Sequence, residues 1–452
     1  MPGTGGPIRR GRIARTAGPA ALGARVVARW ASTYLGRPRG RRERQERVML
    51  RTAEDVTRTL GEMKGAAMKV GQVLSLMTGV VPPEMADGLA ALHANAPPMA
   101  YPLVERVFLE EYGRRPQDLF RRFEREPFAA ASIGQVHRAE LRGGGQVAVK
   151  VQYPGVGEAI GADLANIGVF LGMAGMVSKG LDVGPIIDDL KAGILAELDY
   201  RREAGWQQRF AEIYAGHAFV RVPRVHGELS TGRVLVQEYL EGRPFSTART
   251  LGQRERDRIA EILFRFAFGN FYRHQLFNGD PHPGNYLLLE DGRVGFLDYG
   301  CVAEFPAEAV ASFQVLLRAL MKGDIEGWRA ATEKVGILRE NAPYSTAELY
   351  EHLHWFWKPV LAERVAFTPE LAAEMVRRNT QATGAGGAIN RHLNIPPGMV
   401  FLSRINLGLA GLLGSLHAVG PWQGIMREYV DGETPCTELG QDSARTSRGP
   451  GI

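Results

Sequence analysis

The feature that most constrains this chain is a pair of short polar motifs separated by one predicted β-hairpin. The first motif, GDPHPGN, places Asp280 and Asn285 five residues apart, and the second motif, DYG, begins at Asp298. Two prolines and two glycines stiffen the first loop, so both of its polar side chains can lie on one side. Phosphoryl transfer from ATP needs a carboxylate and an amide oxygen on magnesium, and a second carboxylate near the nucleophile. The motifs therefore predict a magnesium-nucleotide site in which Asp280 is catalytic and Asn285 and Asp298 bind the metal.

A lysine on a predicted strand supplies the cation that such a site needs for the phosphates. The run VAVK ends at Lys150, and strand alternation puts Ala148 and Lys150 on one face. A strand lysine, then D-x-x-x-x-N, then a D-F-G-like tripeptide is the order found in protein kinases. An exposed lysine or a capping aspartate would explain one such motif, but it would not explain all of them in this order.

The segment FAAASIGQVH lies just before the lysine strand, where a kinase has its glycine-rich loop. Here Ala129 and Ala131 stand where the first two glycines belong, and their methyl groups restrict the backbone that would approach the phosphates. The alternative is a strand that merely packs small residues. If the segment is a phosphate loop, the strand RVLVQEYL leads to the linker of the same site. The predicted nucleotide contacts are Ala129, Ala131, Ser132, Gly134, Val136, Ala148, Lys150, Glu203, Glu238 and Leu240.

The helical pattern GILAELDYRREAGW carries three acidic side chains that could serve this site. We predict that Glu203 pairs with Lys150, and that Glu197 and Asp199 form a second acidic group. A solvated acidic helix face is the alternative interpretation.

Changes in periodicity divide the chain into four predicted segments. Residues 1–45 form a basic arm without stable structure, 46–126 a helical extension, 127–242 a small sheet lobe and 243–452 a larger helical lobe. Only CVAEFP separates the DYG tripeptide from the next helical pattern, so we expect no activation segment. The predicted fold class is α+β, a divergent two-lobed kinase-like fold with an N-terminal helical extension.

Each of the two lobes has its own predicted strands and helices. The sheet lobe is predicted to contain the strands FAAASIGQVHRAEL, QVAVKVQY, RVPRVHGEL and RVLVQEYL. The helical lobe begins with the long helix RERDRIAEILFRFAFGNFYRHQLF and continues with a hairpin that turns at Asp291-Gly292. Two apolar stretches, 164–178 and 405–426, are predicted to be buried helices, because the first is too short to span a bilayer and the second contains polar residues.

Charge and cysteine content limit the compartment and the partners. The net charge of +6 is concentrated in residues 1–47, which hold twelve arginines against two acidic residues, so a nucleic-acid-binding face on the folded part is not expected. The two cysteines are far apart and suit a reducing cytoplasm. We expect a cytoplasmic protein that attaches peripherally to a membrane through its arginine-rich start. A second copy of the chain, forming a homodimer, is a further candidate partner.

These motifs together resemble the UbiB/AarF family of atypical kinase-like proteins over roughly residues 55–420. The resemblance is carried by MKVGQ, AAAS, VAVK, ELDYRREA and DPHPGN followed by DYG. It implies ATP or ADP and Mg²⁺ as cofactors and a role in isoprenoid quinone biosynthesis, acting on a lipid-like quinone precursor and not on proteins in trans. It also implies that Lys69 and Gln72 lie on a helix across the active site. There Lys69 would meet Glu197 and Asp199, block the groove for a protein substrate and join the catalytic residues.

Two departures from the kinase pattern keep other interpretations open. Gln237 stands before the linker, where kinases often have an apolar residue, and Asn278-Gly279 replaces the histidine-led start of the catalytic loop. The Gly-Asp pair also resembles aminoglycoside and choline phosphotransferases, so a small-molecule phosphotransferase is the second hypothesis. A scaffold that only binds nucleotide is the third, although a scaffold does not need both magnesium ligands.

Overall fold

The computed structural model describes residues 99–131, 133–158, 195–339, 342–379, 384–390, 392–394 and 399–447. The described residues divide into two compact units, the first lying within 1–202 and 226–239 and the second within 203–225 and 240–452. The lobe boundary at 242/243 stays a prediction, and it lies close to Leu240, where the chain finally enters the second unit.

The described residues form α-helices, β-strands and short 3₁₀ helices. The α-helices are α1 (Tyr101–Tyr112), α2 (Pro116–Leu119), α3 (Tyr200–Ile213), α4 (Gln253–His274), α5 (Ala307–Met321), α6 (Ile325–Lys334), α7 (Thr346–Leu353), α8 (Pro369–Asn379), α9 (Gly384–Asn390), α10 (Met399–Ser415), α11 (Trp422–Val430) and α12 (Glu438–Ser447). The strands are β1 (Phe120–Phe123), β2 (Ala129–Ala131), β3 (Gly134–Leu141), β4 (Gln146–Gln152), β5 (Val220–Arg221), β6 (Val234–Glu238), β7 (Arg243–Pro244), β8 (Leu276–Asn278), β9 (Tyr286–Leu288), β10 (Val294–Phe296), β11 (Val302–Glu304), β12 (Val365–Ala366) and β13 (Val419–Gly420). Short 3₁₀ helices occupy Gly227–Leu229, Phe245–Thr250, Pro283–Asn285 and His354–Val360.

The first unit is built on an antiparallel sheet in the order β1-β3-β4-β6, with β2 paired to β3. The predicted β3–β4 hairpin is confirmed, and its turn depends on Gly144 and Gly145, whose φ angles are 88° and 101°. Helix α1 presents Val104, Val107 and Phe108 to the valines on one face of the sheet. Their spacing of three and four residues forms one helix stripe. The other face of the sheet is therefore left for the lysine.

The helical prediction for residues 46–126 is wrong at its end, because Phe120–Phe123 is an edge strand. β1 pairs antiparallel with β3, and Phe120 lies opposite Leu141. The rings of Phe120 and Phe123 both pack edge-on against Phe108 of α1. Aromatic residues suit a half-buried pleated surface. Tertiary packing thus determines the conformation of this segment, because four residues are too few to show a hydrophobic period.

The second unit has a helical core around α4 and a small mixed sheet in the order β5-β10-β9-β7. The predicted long helix and the hairpin at Asp291-Gly292 are confirmed. The predicted strand RVPRVHGEL is wrong: only its first residue, Arg221, belongs to a strand, Val220–Arg221, which pairs in parallel with β10. Pro223 has no N–H for a ladder, and its carbonyl accepts a hydrogen bond from the side chain of Gln207 at 2.8 Å.

The stretch 405–426 is buried as predicted, but it forms parts of two helices and not one. α10 ends at Ser415, His417 takes a left-handed φ of 49°, and α11 begins at Trp422. Among the described residues no helix is both long and apolar enough to cross a bilayer. The stretch 164–178 and the basic arm 1–45 lie outside the described residues.

The segment after the DYG tripeptide is as short as the sequence predicted. β11 pairs antiparallel with β8 directly after it, and α5 starts at Ala307. There is no room between them for an activation segment, which confirms this part of the predicted fold class.

Candidate active site

Lys150 lies on the sheet face that α1 leaves uncovered. In the antiparallel register Lys150 is opposite Val136 on β3 and opposite Leu235 on β6, and directly opposed residues share a face. Ala148, two residues before the lysine, lies on the same face. The structure thus brings together Val136, Ala148 and Lys150, three of the predicted nucleotide contacts.

The ring of Tyr200 lies next to the ammonium group of Lys150. The Lys150 Nζ lies 5.0 Å from the centroid of that ring, a distance at which the cation is attracted to the π face. Both side chains are buried, with 7% and 1% of their surface exposed. Sequence reasoning did not single out Tyr200, although it is the last letter of the ELDY pattern.

The alanine segment forms a tight hairpin with β3. Ala129 lies opposite Val136, and Ala131 lies opposite Gly134. A Cβ atom at Gly134 would stand 2.2 Å from the carbonyl oxygen of Val151, so glycine is needed there for close approach of β3 to β4. Both interpretations of the segment, phosphate loop and small-residue strand, are compatible with this geometry. Ser132 lies outside the described residues.

A buried polar network anchors this hairpin from the α1 side. The Gln135 Oε1 accepts a hydrogen bond from the Met99 backbone N–H at 2.8 Å, and the Gln135 Nε2 lies 2.9 Å from the His137 Nε2. The His137 Nδ1 lies 2.8 Å from the carbonyl oxygen of Glu124, which can only accept, so the proton is on Nδ1 and Nε2 accepts from Gln135. Burial lowers the pKa of His137. No role was predicted for Gln135 and His137 from the sequence, where they are part of the GQVH segment.

The acidic ELD segment is fixed by the end of β4. The Gln152 Nε2 donates to the Leu198 carbonyl at 2.8 Å, between Glu197 and Asp199. Glu197 is buried, whereas Asp199 is exposed and accepts a hydrogen bond from the Arg201 backbone N–H at 3.0 Å at the start of α3. Asp199 therefore caps this helix. Lys69 and Gln72, the predicted partners, lie outside the described residues.

The remaining predicted nucleotide contacts belong to different units. Glu238 ends β6 in the first unit, opposite Val147. Glu203 on α3 and Leu240 fall in the second unit, where Glu203 is buried and Leu240 packs over Gly295. The pairing of Glu203 with Lys150 stays a prediction.

In the second unit the structure brings Asp280 and Asn285 into direct contact. The Asn285 Nδ2 donates to the backbone oxygen of Asp280 at 3.0 Å and to its Oδ2 at 3.1 Å. These bonds use the amide nitrogen, so the amide oxygen is the atom left to face a cation. The loop between them is closed by the His282 Nδ1, which accepts from the Gly284 N–H at 3.1 Å.

Asp298 is tied to the same loop through the backbone. The Asn278 Nδ2 donates to the Asp298 carbonyl at 2.8 Å, and the Gly300 N–H donates to the Asp298 Oδ1 at 3.0 Å, which fixes the carboxylate. The Leu297 N–H donates to the Asn285 carbonyl at 3.0 Å. Asn278, noted in the sequence only as a departure from the kinase pattern, thus holds the two motifs together.

Two further contacts anchor these motifs in the core of the second unit. Tyr299 is fully buried, its ring lies 4.9 Å from that of Phe210, and burial raises its pKa well above the usual value. On the other side, a Cβ atom at Gly408 of α10 would stand 2.4 Å from the Pro281 Cγ. The absence of a side chain at Gly408 therefore lets α10 approach Pro281 closely.

The oxygen donors of this loop pair suit magnesium. Mg²⁺ prefers oxygen ligands and is commonly held by one or two carboxylates together with substrate phosphates. Asn285 offers an amide oxygen and Asp298 a carboxylate. Within the described part of the chain no three His, Cys, Asp or Glu side chains cluster in a way that could hold a metal. Two protein oxygen ligands leave the other positions of a Mg²⁺ shell to phosphates and water.

Comparison with known proteins places this geometry in a family. Residues 91–332 match the ABC1 atypical kinase-like domain. The chain is 35% identical over 274 residues to "Atypical kinase COQ8B, mitochondrial" of Rattus norvegicus, covering 60% of this chain and 52% of that protein. It is 32% identical over 292 residues to "Atypical kinase coq-8, mitochondrial" of Caenorhabditis elegans, covering 63% and 39%.

A solved structure is similar to this chain over most of its length. The complex of Rv3197 with erythromycin from Mycobacterium tuberculosis is 33% identical to this chain, with a TM-score of 0.62, and the match covers 86% of this chain and 97% of that one. The chain spans about half the length of the rat relative and less of the nematode one. The match of the domain over more than half of the sequence shows that this chain belongs to the ABC1 atypical kinase-like family, also called UbiB/AarF.

Proposed function

We propose that this chain binds magnesium-ATP and acts as an atypical kinase or ATPase in isoprenoid quinone biosynthesis or related lipid metabolism. The observation that carries the proposal is the joined loop pair of the second unit. There Asn285 is hydrogen-bonded to Asp280, and Asn278 holds Asp298 beside them. A structural turn would need no such alignment of a carboxylate, an amide and a second carboxylate.

Each residue has a distinct role in this proposal. Lys150 binds the α- and β-phosphates, Asn285 and Asp298 hold magnesium, and Asp280 orients the attacking hydroxyl or water. Magnesium supplies charge neutralisation at the transferred phosphate when it is bound. Glu203 positions Lys150, and Lys69 and Gln72 belong to the regulatory helix with Glu197 and Asp199 as their acidic partners. The nucleotide also contacts Ala129, Ala131, Ser132, Gly134, Val136, Ala148, Glu238 and Leu240.

Transfer to protein substrates is not part of the proposal. In protein kinases the activation segment between D-F-G and A-P-E is the part that phosphorylation controls. Here six residues, CVAEFP, separate Gly300 from Ala307, and three of them pair with β8. The acceptor is instead water or a small lipid-like quinone precursor, as membership of the family suggests.

A membrane surface is the proposed place of action. Twelve arginines lie within residues 1–47, and each basic residue near an anionic bilayer contributes about 1 kcal/mol, less at high salt. Attachment is peripheral in this proposal, on the cytoplasmic side. A second copy of the chain is a further candidate partner.

The second candidate function is a phosphotransferase for a soluble hydroxyl compound. Gly279-Asp280 at the start of the loop favours it, because such enzymes place a Gly-Asp pair there by analogy. The KVGQ and ELD motifs favour the quinone-pathway assignment, since simple phosphotransferases lack them.

Two measurements test the proposal. Purified protein should release ADP from ATP in a magnesium-dependent manner, and the Asp298→Asn variant should not. In cells, loss of the gene should lower the quinone pool and raise a precursor, and the wild-type gene but not Asp298→Asn should restore both. A nucleotide-binding scaffold would bind ATP without ADP release, and a soluble-substrate phosphotransferase would leave quinone pools unchanged.

A further inference from the structure

We propose that Gln237 selects the base of the bound nucleotide, with its side-chain oxygen accepting a hydrogen bond from the exocyclic amino group of adenine. This inference rests on the proposed function and adds the residue that distinguishes adenine from other purines.

The side chain of Gln237 is buried and incompletely satisfied. Only 8% of its surface is exposed, and its Oε1 is fully buried with no hydrogen-bond partner among the residues that the structure describes. A buried carbonyl oxygen without a partner is costly, because it has lost its hydrogen bonds to water. Such an atom in an otherwise regular strand indicates a place where a donor from outside the chain is expected.

Gln237 lies on the same face of the sheet as Lys150. Gln237 lies opposite Ala148, and Leu235 lies opposite Lys150, in the β4–β6 register. Along β4, Ala148 and Lys150 are two residues apart, about 7 Å at the usual rise per residue. Ala148, Val136 and Leu235 lie on this face beside the two polar groups, so the face offers a flat base apolar contacts.

Strand alternation separates this amide from the apolar core. Val234 and Val236, its neighbours on β6, belong to the buried cluster under α1, whereas Gln237 faces the opposite way. A polar residue at this point is therefore not needed to fill the core. β6 ends at Glu238, one residue further along, so the amide stands on the linker side of Lys150. If the phosphates are at the lysine, the base is at the amide.

The chemistry of the amide oxygen distinguishes the purines. An amide oxygen only accepts hydrogen bonds. At position 6 adenine offers an amino group, which donates, whereas guanine and hypoxanthine offer a carbonyl oxygen, which also accepts. Purine riboside has only hydrogen there. We expect ATP to bind better than the triphosphates of any of these three.

The test combines two protein variants with two ligands. Gln237→Met keeps the length of the side chain and removes the acceptor, and Gln237→Glu keeps an acceptor. Magnesium complexes of ATP and of purine riboside triphosphate are titrated into each protein by calorimetry. Wild type should prefer ATP by roughly tenfold to a hundredfold, the range for one buried hydrogen bond. Gln237→Met should bind both ligands equally, and Gln237→Glu should keep a preference for ATP.

A matched control and a stability measurement complete the experiment. Leu235→Met changes the next residue on the same face without removing a polar atom, and it should leave the ratio of the two affinities unchanged. In the absence of nucleotide, Gln237→Met should melt at the same temperature as wild type or higher, because it removes an unpaired buried acceptor. Lower ATP preference together with unimpaired stability supports a role in base selection.

Several outcomes would overturn the inference. One is a ratio of affinities that survives Gln237→Met, and another is a lowered melting temperature with an unchanged ratio, which would show an amide satisfied by water. A third is a wild type that prefers purine riboside triphosphate or binds both ligands equally, which would show that the amide offers no acceptor to the base. In all three cases the proposed function stands if magnesium-ATP still binds. Wild type that binds neither ligand would overturn the proposed function as well.

Discussion

The predicted catalytic loop (Asp280–Asn285) of the second unit and the alanine hairpin (β2 with β3) of the first unit are held by different kinds of interaction. In the catalytic loop, functional side chains bond directly to one another, as Asn285 does to Asp280. In the hairpin, Ala129 and Ala131 contribute only backbone, through the β2–β3 ladder. Its support comes from Gln135 and from close approach at Gly134. Chemistry carried by side chains is visible in a sequence, whereas chemistry carried by backbone is visible only as an unusual choice of small residues.

The largest expected effect comes from removing a charged group of the predicted site. Asp298→Asn or Lys150→Met should lower magnesium-dependent ADP release by roughly 100-fold or more. The Asn278 bond to the Asp298 backbone survives in Asp298→Asn. The melting temperature of this variant should therefore stay close to that of wild type. Steady-state kinetics measures the loss of ADP release, and calorimetry measures the melting temperature. Normal turnover in either variant would contradict the roles assigned to these residues.

The next effect concerns the support of the catalytic loop by α10. Gly408→Ala would place a methyl group 2.4 Å from the Pro281 Cγ, so the loop must move. Overpacking of this kind costs about 1–3 kcal/mol of unfolding free energy. We expect weaker binding of magnesium-ADP as well, because Pro281 directly follows Asp280.

Gly411→Ala is the matched control for this substitution. It lies on the same helix, three residues on, with no described atom within 4 Å of the added Cβ. Alanine is the better helix former by about 1 kcal/mol, so Gly411→Ala should stabilise the protein and leave nucleotide binding unchanged. Equal effects of the two substitutions on binding would show that the Pro281 contact does not matter.

A smaller effect, on the free energy of unfolding, is expected from pH through His137 beside the alanine hairpin. The folded pKa of His137 is lowered by burial, so the unfolded chain binds the proton more readily. Stability is then full above the unfolded pKa of about 6.5 and falls as pH drops below it toward the folded value, by at most about 1.4 kcal/mol per pH unit. His217, whose pKa burial lowers to about 4, adds a similar slope in the second unit.

The His137→Gln variant isolates the contribution of the hairpin network. Unfolding free energy is measured from pH 7 down to pH 5 for wild type and for this variant. The variant should lose part of the slope, and the His217 part should remain. An identical slope in both proteins would show that protonation of His137 is not linked to folding.

The sequence predicted much of the fold because most elements carry their own signal. The β3–β4 hairpin is specified by alternating valines and its glycine turn, and α4 by a long amphipathic period. The prediction from the sequence failed where tertiary contacts determine the secondary structure. Phe120–Phe123 is too short to show a hydrophobic period. Pro223 prevents a strand that the neighbouring valines favour. Both errors arise from the three-dimensional surroundings of a short segment.

The candidate site was predictable to the extent that side chains define it. Asp280, Asn285 and Asp298 were identified by spacing, and the structure places the first two in hydrogen-bond contact. The supporting residues were not identified, since Tyr200, Gln135 and His137 act through a ring face or a buried amide. Nothing in a single sequence distinguishes such residues from ordinary core positions.

The smallest expected effect tests whether the alanine hairpin is a phosphate loop. Ala131 lies at its tip, next to the β2–β3 turn, and Ala131→Gly would free that backbone at a cost of about 0.5–1 kcal/mol in order. If backbone N–H groups there approach the phosphates, ATP should gain affinity relative to ADP by a few-fold, and autophosphorylation is a further expected gain. Ala130→Gly, in the same strand opposite Gln135, adds the same backbone freedom at a residue outside the predicted nucleotide contacts and should change neither ratio nor activity. Titration of both nucleotides with magnesium into the three proteins decides between the interpretations, because a strand that merely packs small residues predicts lower melting temperatures and one common affinity ratio.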